Sequence, residues 1–370
     1  MMPAMHYVRM PIEVESPEEF GYGNIRFNLS ESSIADQSLA NFGLEVPDLS
    51  LLYGEHRGSP ALRELIAADD ASLGSNDVLI CGGAAGALFI IATALLGKDD
   101  NLVVVRPNYA TNLETPRAIG CDISFIDLSF DDGFALDPER IERAIKPTTR
   151  LVSITCPHNP TGTNISEADL RRIVEITARQ GVLLLVDETY RDLALTPPLP
   201  IAATLGEHVI SVSSLSKAFG APGIRVGWII NTEPALQELF LAAKEQISIC
   251  GSVINEWVAE GILRQKSAFL SRTLTEWRRR LDRIAEWIGG EDLLEWVRPS
   301  GGVVCFPRMI AEPAGGTDAF YRRLLQDHGA YVGPGHWFEM PDTCFRLGYA
   351  WPTAEELEGG LAAISAALRG

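Results

Sequence analysis

Ser213-Ser214-Leu215-Ser216-Lys217-Ala218-Phe219-Gly220, continued by Ala221-Pro222-Gly223-Ile224-Arg225-Val226-Gly227-Trp228, decides how this chain is read. It follows the β-prone run His208-Val209-Ile210-Ser211-Val212, so Lys217 falls where a buried strand opens into a loop. The chain has five lysines, at 98, 146, 217, 244 and 266, and Lys217 alone is framed by small residues and glycines. An amine held among apolar neighbours or near another cation loses its proton more easily and can form a Schiff base. Arg225, eight residues on, supplies such a cation and a fork for a phosphate. A strand-end lysine reaching out to water is the alternative this segment leaves open.

Upstream, Val182-Leu183-Leu184-Leu185-Val186 is apolar on both faces, as a central parallel strand is, and runs into Asp187-Glu188-Thr189-Tyr190. A carboxylate at such a strand end is costly unless a cation meets it, either a bound one or an arginine or helix N-terminus of the protein itself. Leu151 to Cys156 reads as another strand, ending in Pro157-His158-Asn159-Pro160-Thr161-Gly162, where two prolines and a glycine fix the angle of the Asn159 amide. Leu102 to Val105 is followed by Arg106-Pro107-Asn108-Tyr109, which places a tyrosine where it can cover a planar ligand or simply the core. Val78 to Cys81 leads into Gly82-Gly83-Ala84-Ala85-Gly86 and an apolar helix predicted over Ala87 to Leu96. A glycine turn opening a helix presents backbone N–H groups that suit a phosphate, although the spacing is neither Gly-x-Gly-x-x-Gly nor a P-loop.

Strands alternating with helices from about 78 to 230 imply a parallel sheet with right-handed crossovers, and ligands on such sheets collect at the carboxyl ends of the strands. Tyr109, Asn159, Asp187, Tyr190 and Lys217 all fall at or just past predicted strand ends. Before the sheet, Ser59 caps a helix starting at Pro60 and leaves Tyr53 in a loop, free to reach a ligand or a neighbouring subunit or merely to pack. The expected organisation is an N-terminal arm (1–48) that joins the small domain, a large α/β domain (49–285) with a mostly parallel sheet sandwiched by helices, and a smaller α+β domain (286–370).

A net charge of -18 excludes a protein that grips phosphate backbones over a broad face, so neither nucleic acid nor an anionic membrane is an expected partner. The six cysteines show no Cys-x-x-Cys pair and the six histidines no His-Glu-x-x-His arrangement, so no metal site is expected. Met1 to Phe20 lacks an apolar signal core, and the apolar run Ala87 to Leu96 is far short of the ~20 residues that span a bilayer. A cytoplasmic location is expected.

Taken together, Ser-x-Ser-Lys with an arginine eight residues later, Asn-Pro-Thr-Gly, Asp-x-x-Tyr, Tyr53-x-x-x-x-Gly58 followed by Leu62-Arg63, and Phe345-Arg346-Leu347-Gly348 resemble fold-type I pyridoxal-phosphate enzymes of the class I/II aminotransferase family. The resemblance runs from about Tyr53 to Ala350. It implies that Lys217 carries pyridoxal 5'-phosphate as an internal aldimine, that Asp187 pairs with the ring nitrogen, and that Asn159 and Tyr190 bond the ring oxygen while Tyr109 stacks on the ring. Ser214, Arg225 and the N–H groups around Gly83, Ala84 and Ala85 are implied to hold the phosphate, with Tyr53 reaching the cofactor of the other subunit in a homodimer with shared active sites. Arg346, with Asn159, is implied to bind the carboxylate of an α-amino acid that exchanges its amino group with a 2-oxo acid. Asn28-Leu29-Ser30-Glu31-Ser32-Ser33 departs from the Gly-Glu-Pro type of loop common in the family, and Pro307-Arg308, taken with Leu215-Ser216-Lys217-Ala218-Phe219-Gly220-Ala221-Pro222-Gly223-Ile224-Arg225-Val226-Gly227-Trp228, resembles the branch containing capreomycidine synthase. That branch implies an alternative, a lyase or cyclase acting at Cβ or Cγ of a specialised amino acid. Whether Glu31, Arg308 or His336 touches substrate has no readable code in the sequence.

Overall fold

The computed structural model describes residues 5–195 and 197–370. Seven strands form one sheet: β1 (Val78–Cys81), β2 (Asn101–Arg106), β3 (Asp122–Asp127), β4 (Thr149–Thr155), β5 (Leu183–Asp187), β6 (Val209–Ser214) and β7 (Gly227–Ile230). Their spatial order is β1-β7-β6-β5-β4-β2-β3. The pairs β3·β2, β2·β4, β4·β5 and β5·β6 are parallel, and β7 alone runs against its neighbours β6 and β1.

The sheet is buried on both faces because alternate residues of each strand belong to different cores. Val103, Val105, Val152, Ile154, Leu184 and Val186 pack toward helix α5 (Glu167–Gln180) through its stripe Leu170, Ile173 and Val174. Leu102, Val104, Leu151, Leu185, Ile210 and Val212 point the other way, toward α2 (Gly83–Leu95) and, through Phe240, α6 (Pro234–Ile247). Helix α1 (Pro60–Ala67) starts as expected, with the Leu62 N–H facing the Ser59 hydroxyl, and Ser166 Oγ accepts from the Asp169 N–H 3.1 Å away at the start of α5. Helices α3 (Thr111–Ile119) and α4 (Pro138–Ala144) complete the crossovers.

The sequence places the start of α2 at Ala87, whereas it begins at Gly83. Ala84 and Ala85 are good helix formers, and the backbone turns at Gly83, whose φ of +79° a side chain would strain. The turn is thereby tightened, and the first helical N–H groups belong to the glycine-alanine run itself.

Beyond the sheet come α7 (Val253–Leu263) and the long α8 (Lys266–Gly289), then α9 (Thr317–Gln326) and α10 (Ala354–Arg369). Trp277, Leu281, Ile284, Phe320, Leu324, Phe345, Leu347, Leu361 and Ile364 share a core with Leu29 and Ile34 of the N-terminal arm. Three short strands, β8 (Val304–Cys305), β9 (Gly333–Pro334) and β10 (Phe345–Gly348), form an antiparallel sheet in the order β8-β10-β9. The arm crosses the molecule by joining these parts. Phe27–Asn28 pairs in parallel with Ala330–Tyr331, the Ile34 N–H donates to the Lys217 carbonyl over 3.1 Å, and the Gln37 N–H donates to the Gly220 carbonyl over 2.7 Å. The six cysteines are unpaired, and no helix among the described residues is long and apolar enough to cross a membrane.

Candidate active site

The carboxyl ends of β4, β5 and β6 lie side by side. Thr155 pairs with Asp187 and Asp187 with Val212, so Asp187 sits between the ends of its two neighbours. The loops beyond these ends, the turn before α2 and the arm enclose a cavity of about 510 Å³. Ala84, Ala85, Tyr109, Asn159, Asp187, Tyr190, Ser214, Lys217, Arg225 and Arg346 all line it. Gly83 stands directly behind, since a Cβ there would come within 2.6 Å of the Arg225 guanidinium. Tyr53 is the exception among the expected residues: it lies outside the cavity and is 77% exposed.

Lys217 Nζ donates to the Ser32 hydroxyl at 2.9 Å and makes no salt bridge among the described residues. Burial, reinforced by the positive charge of Arg346, lowers its pKa to about 8, and Glu31 opposes that shift. A substantial fraction of this amine is therefore neutral near pH 7.5, the state a nucleophilic lysine needs. Asp187 is buried, and desolvation pushes its carboxyl up against the opposing pull of its hydrogen bonds with Thr189 and Asn112. The Thr189 hydroxyl and N–H donate to Asp187 Oδ1 at 2.5 and 3.1 Å. No salt bridge reaches Asp187 among the described residues, so the protein itself supplies no paired cation for it.

The loops are pinned to one another by neutral groups. Burial pushes His158 down to about 4, and its ring nitrogens bond the Thr161 hydroxyl at 2.8 Å and the Pro107 carbonyl at 2.9 Å. The Asn159 loop is thus tied to the Tyr109 loop. Asn108 Oδ1 accepts from the Tyr109 N–H at 2.7 Å and from Thr155 Oγ1 at 3.0 Å. Gly162 (φ +70°) packs so tightly that a Cβ would lie 2.4 Å from the Val304 carbonyl oxygen, which holds β8 against the Asn159 loop.

Arg346, on β10, is buried at 4% exposure and donates through Nη1 to Asn159 Oδ1 at 3.2 Å and through Nη2 to the Ser30 carbonyl at 2.8 Å. Its Nε has no hydrogen-bond partner among the described residues. An unmet guanidinium donor is costly when buried. Tyr190 Oη donates to the Ser32 carbonyl at 2.7 Å.

Ser30, Ser32, Asn112, Thr189 and Trp337 join the site without having been singled out as functional by their sequence context. Two of them act through backbone carbonyls, which side-chain patterns do not announce. Arg308 does not line the cavity: it bonds Glu295 and Asp131 and lies over the Phe130 ring. His336 also stays outside, held between Glu15 and Asp342, while Trp337 beside it lines the cavity and donates from Nε1 to Glu15 at 2.7 Å. Glu31 does line it.

These residues fit pyridoxal phosphate. A buried carboxylate without a cation suits a protonated ring nitrogen, and a lysine with a lowered pKa suits an aldehyde. The N-terminal turn of α2 is an anion cradle: Gly227 packs where a Cβ would lie 2.5 Å from the Gly83 carbonyl carbon, and Arg225, in a left-handed conformation at φ 50°, stands over the same glycine. Fold and site together define a pyridoxal-phosphate enzyme of fold type I. The chain belongs to the aminotransferase class I and II family, whose pattern matches residues 39–364.

It is similar to capreomycidine synthase of Streptomyces vinaceus, 32% identical over 325 residues that cover 87% of this chain and 82% of that protein. Two transaminases are each 27% identical: an arginine–pyruvate transaminase of Pseudomonas aeruginosa, covering 77% of this chain and 74% of that one, and an aspartate/prephenate aminotransferase of Thermus thermophilus, covering 82% and 80%. Among solved structures, a PLP-dependent aminotransferase from Streptococcus suis superposes with a TM-score of 0.89 at 26% identity, over 98% of both chains.

Proposed function

We propose that this chain works as a cytoplasmic homodimer, moving an amino group between an α-amino acid and a 2-oxo acid at the cavity that holds Lys217. The observation that carries the reading is the convergence of Lys217, Asp187 and Arg346, from three separate elements, on one cavity. We assign residues 49–285 to the large domain and 286–370, joined by the arm 1–48, to the small one.

Pyridoxal phosphate, when bound, supplies an electron sink for the substrate carbon that carries the amine. Lys217 Nζ would tether it and, as a free amine, would move the proton at the substrate Cα. General acid–base catalysis of this type contributes ~10²–10⁴-fold. Asp187 would keep the ring nitrogen charged; in general, opposite charges ~4 Å apart at an effective dielectric of ~20 are worth about 4 kcal/mol, or about three pKa units. Asn159 and Tyr190 would orient the ring, and Tyr109 would cover it. The N–H groups of Gly83, Ala84 and Ala85, with Ser214 and Arg225, hold the phosphate, joined by Tyr53 of the partner subunit. Arg346 grips the α-carboxylate and so aims Cα at Lys217.

Incubation with an amino acid tests this directly. Transamination converts the coenzyme to its pyridoxamine form and yields a 2-oxo acid, and failure of every amino acid to do so would overturn the reading. The likeness to capreomycidine synthase supports a second reading, a lyase or cyclase acting at Cβ or Cγ, for which the same incubation yields a cyclised or shortened product with the coenzyme regenerated.

A further inference from the structure

Three carboxylates in the cavity have no task in the chemistry above. Glu13 and Glu18, from the short arm helices Pro11–Val14 and Pro17–Phe20, stand on the exposed rim, and Glu31 lies further in. None of the three forms a salt bridge among the described residues, although Arg9 and His336 on the same side of the molecule pair with Glu19 and Glu15. Glu31 takes both of its hydrogen bonds on Oε1, from Tyr22 at 3.2 Å and Asn28 at 3.4 Å, which leaves Oε2 with no partner among the described residues. Burial and the negative charge of Glu18 hold its carboxyl above the usual range, against the pull of Lys217 and Arg346.

Among the described residues the lining contains three cationic ones, and each has a partner in the proposed chemistry: Lys217 the coenzyme, Arg225 its phosphate, Arg346 the α-carboxylate. Asp187 is met by the ring nitrogen. In the proposed role Arg346 fixes the direction of the substrate independently of the acids, because it lines the same cavity from β10. With the α-carboxylate there and Cα at Lys217, the substrate side chain is left to the arm, where the unmatched charges are Glu13, Glu18 and Glu31. A carboxylate side chain would meet three like charges and find no cation in reserve, whereas a cation would relieve all three.

Resting on the transaminase reading, we propose that this site selects α-amino acids with a cationic side chain, guanidinium or ammonium, and that Glu31 is its specificity-determining residue, with Glu13 and Glu18 on the rim steering the cation inward. The names of the relatives do not decide the matter, since at equal identity they include donors of opposite side-chain charge.

Binding of unreactive analogues to the coenzyme-loaded protein tests this without turnover. Calorimetric titration compares 5-guanidinopentanoate with its neutral isostere 5-ureidopentanoate and with adipate. The guanidino compound is expected to bind at least tenfold more tightly than the ureido compound, with adipate weakest, and raising the salt concentration should narrow the gap. Glu31→Gln should reduce the guanidino-to-ureido ratio about tenfold, and Glu13→Gln/Glu18→Gln should reduce it less while slowing association of the cation. Equal binding of the two isosteres, tighter binding of adipate, or a ratio unmoved by Glu31→Gln would each overturn the inference. If the charge preference holds but no amino acid is turned over, the transaminase reading falls and the charge selection stands.

Discussion

Replacing Lys217 by methionine should destroy coenzyme attachment and at the same time stabilise the coenzyme-free protein. Lys217 has a folded pKa of about 8 against an ordinary value of 10.5, because desolvation and Arg346 disfavour its charged form. Well below pH 8 the amine is protonated in both folded and unfolded chains, and the folded state carries the full cost of that charge. Between about 8 and 10.5 the unfolded chain binds more protons than the folded one, so stability rises with pH until the cost is gone. A lowering of about 2.5 units at about 1.36 kcal/mol each amounts to roughly 3 kcal/mol. The side chain faces the cavity, whose water relieves part of this, and methionine forfeits the bond to Ser32, worth about 1 kcal/mol. A net gain of about 1–2 kcal/mol at pH 7 is therefore expected for Lys217→Met, shrinking to nothing or reversing above pH 10.5. Urea unfolding of both coenzyme-free proteins across this range measures it. A variant less stable than the parent at pH 7, with no dependence of the difference on pH, would refute the reasoning that the site holds its amine partly neutral at a cost to the fold.

Other outcomes follow from the same geometry. Arg346→Gln should lower kcat/KM for any amino acid roughly 100-fold, the loss of about 3 kcal/mol of charge-assisted bonding, and should shift the pH profile of coenzyme attachment upward because a cation that lowers the Lys217 pKa is gone. Gly348→Ala would bring a Cβ within 1.7 Å of the Glu31 carbonyl oxygen, against a strand edge where the Gly348 N–H bonds Leu29 at 2.7 Å. It should cost about 1–3 kcal/mol in urea unfolding and blunt the cationic preference by moving Glu31, and unchanged selectivity would detach Glu31 from that role. If the active sites are shared, mixing Tyr53→Ala with Lys217→Ala subunits should restore up to about a quarter of the sites through heterodimers, and mixtures no more active than their components would count against Tyr53 of the partner subunit.

The sheet was legible because its strands are apolar on both faces and end in residues whose chemistry is costly to bury idly. Asp187, Asn159, Tyr109 and Lys217 could each be placed at a strand end from sequence, and all four line one cavity. The arm was not legible in the same way. Its link to Lys217 runs through the Ser32 hydroxyl, and its links to Tyr190 and Arg346 run through the carbonyls of Ser32 and Ser30. Any residue type supplies a carbonyl, so the segment stands out in sequence only as a departure from the family's common pattern. Arg308 drew attention as a departure from pattern, yet it is occupied by Glu295 and Asp131 outside the cavity. The helix start at Gly83 is hidden in the sequence because a glycine-rich turn argues against a helix, whereas Ala84 and Ala85 carry α2 back to it.

The most direct test of the account is where the coenzyme becomes attached. Borohydride reduction of the loaded protein, followed by digestion and mass analysis, should leave the phosphopyridoxyl mass on the peptide carrying Lys217 and on none carrying Lys98, Lys146, Lys244 or Lys266. Recovery of the label on another lysine, or an unlabelled Lys217 peptide from fully loaded protein, would contradict it.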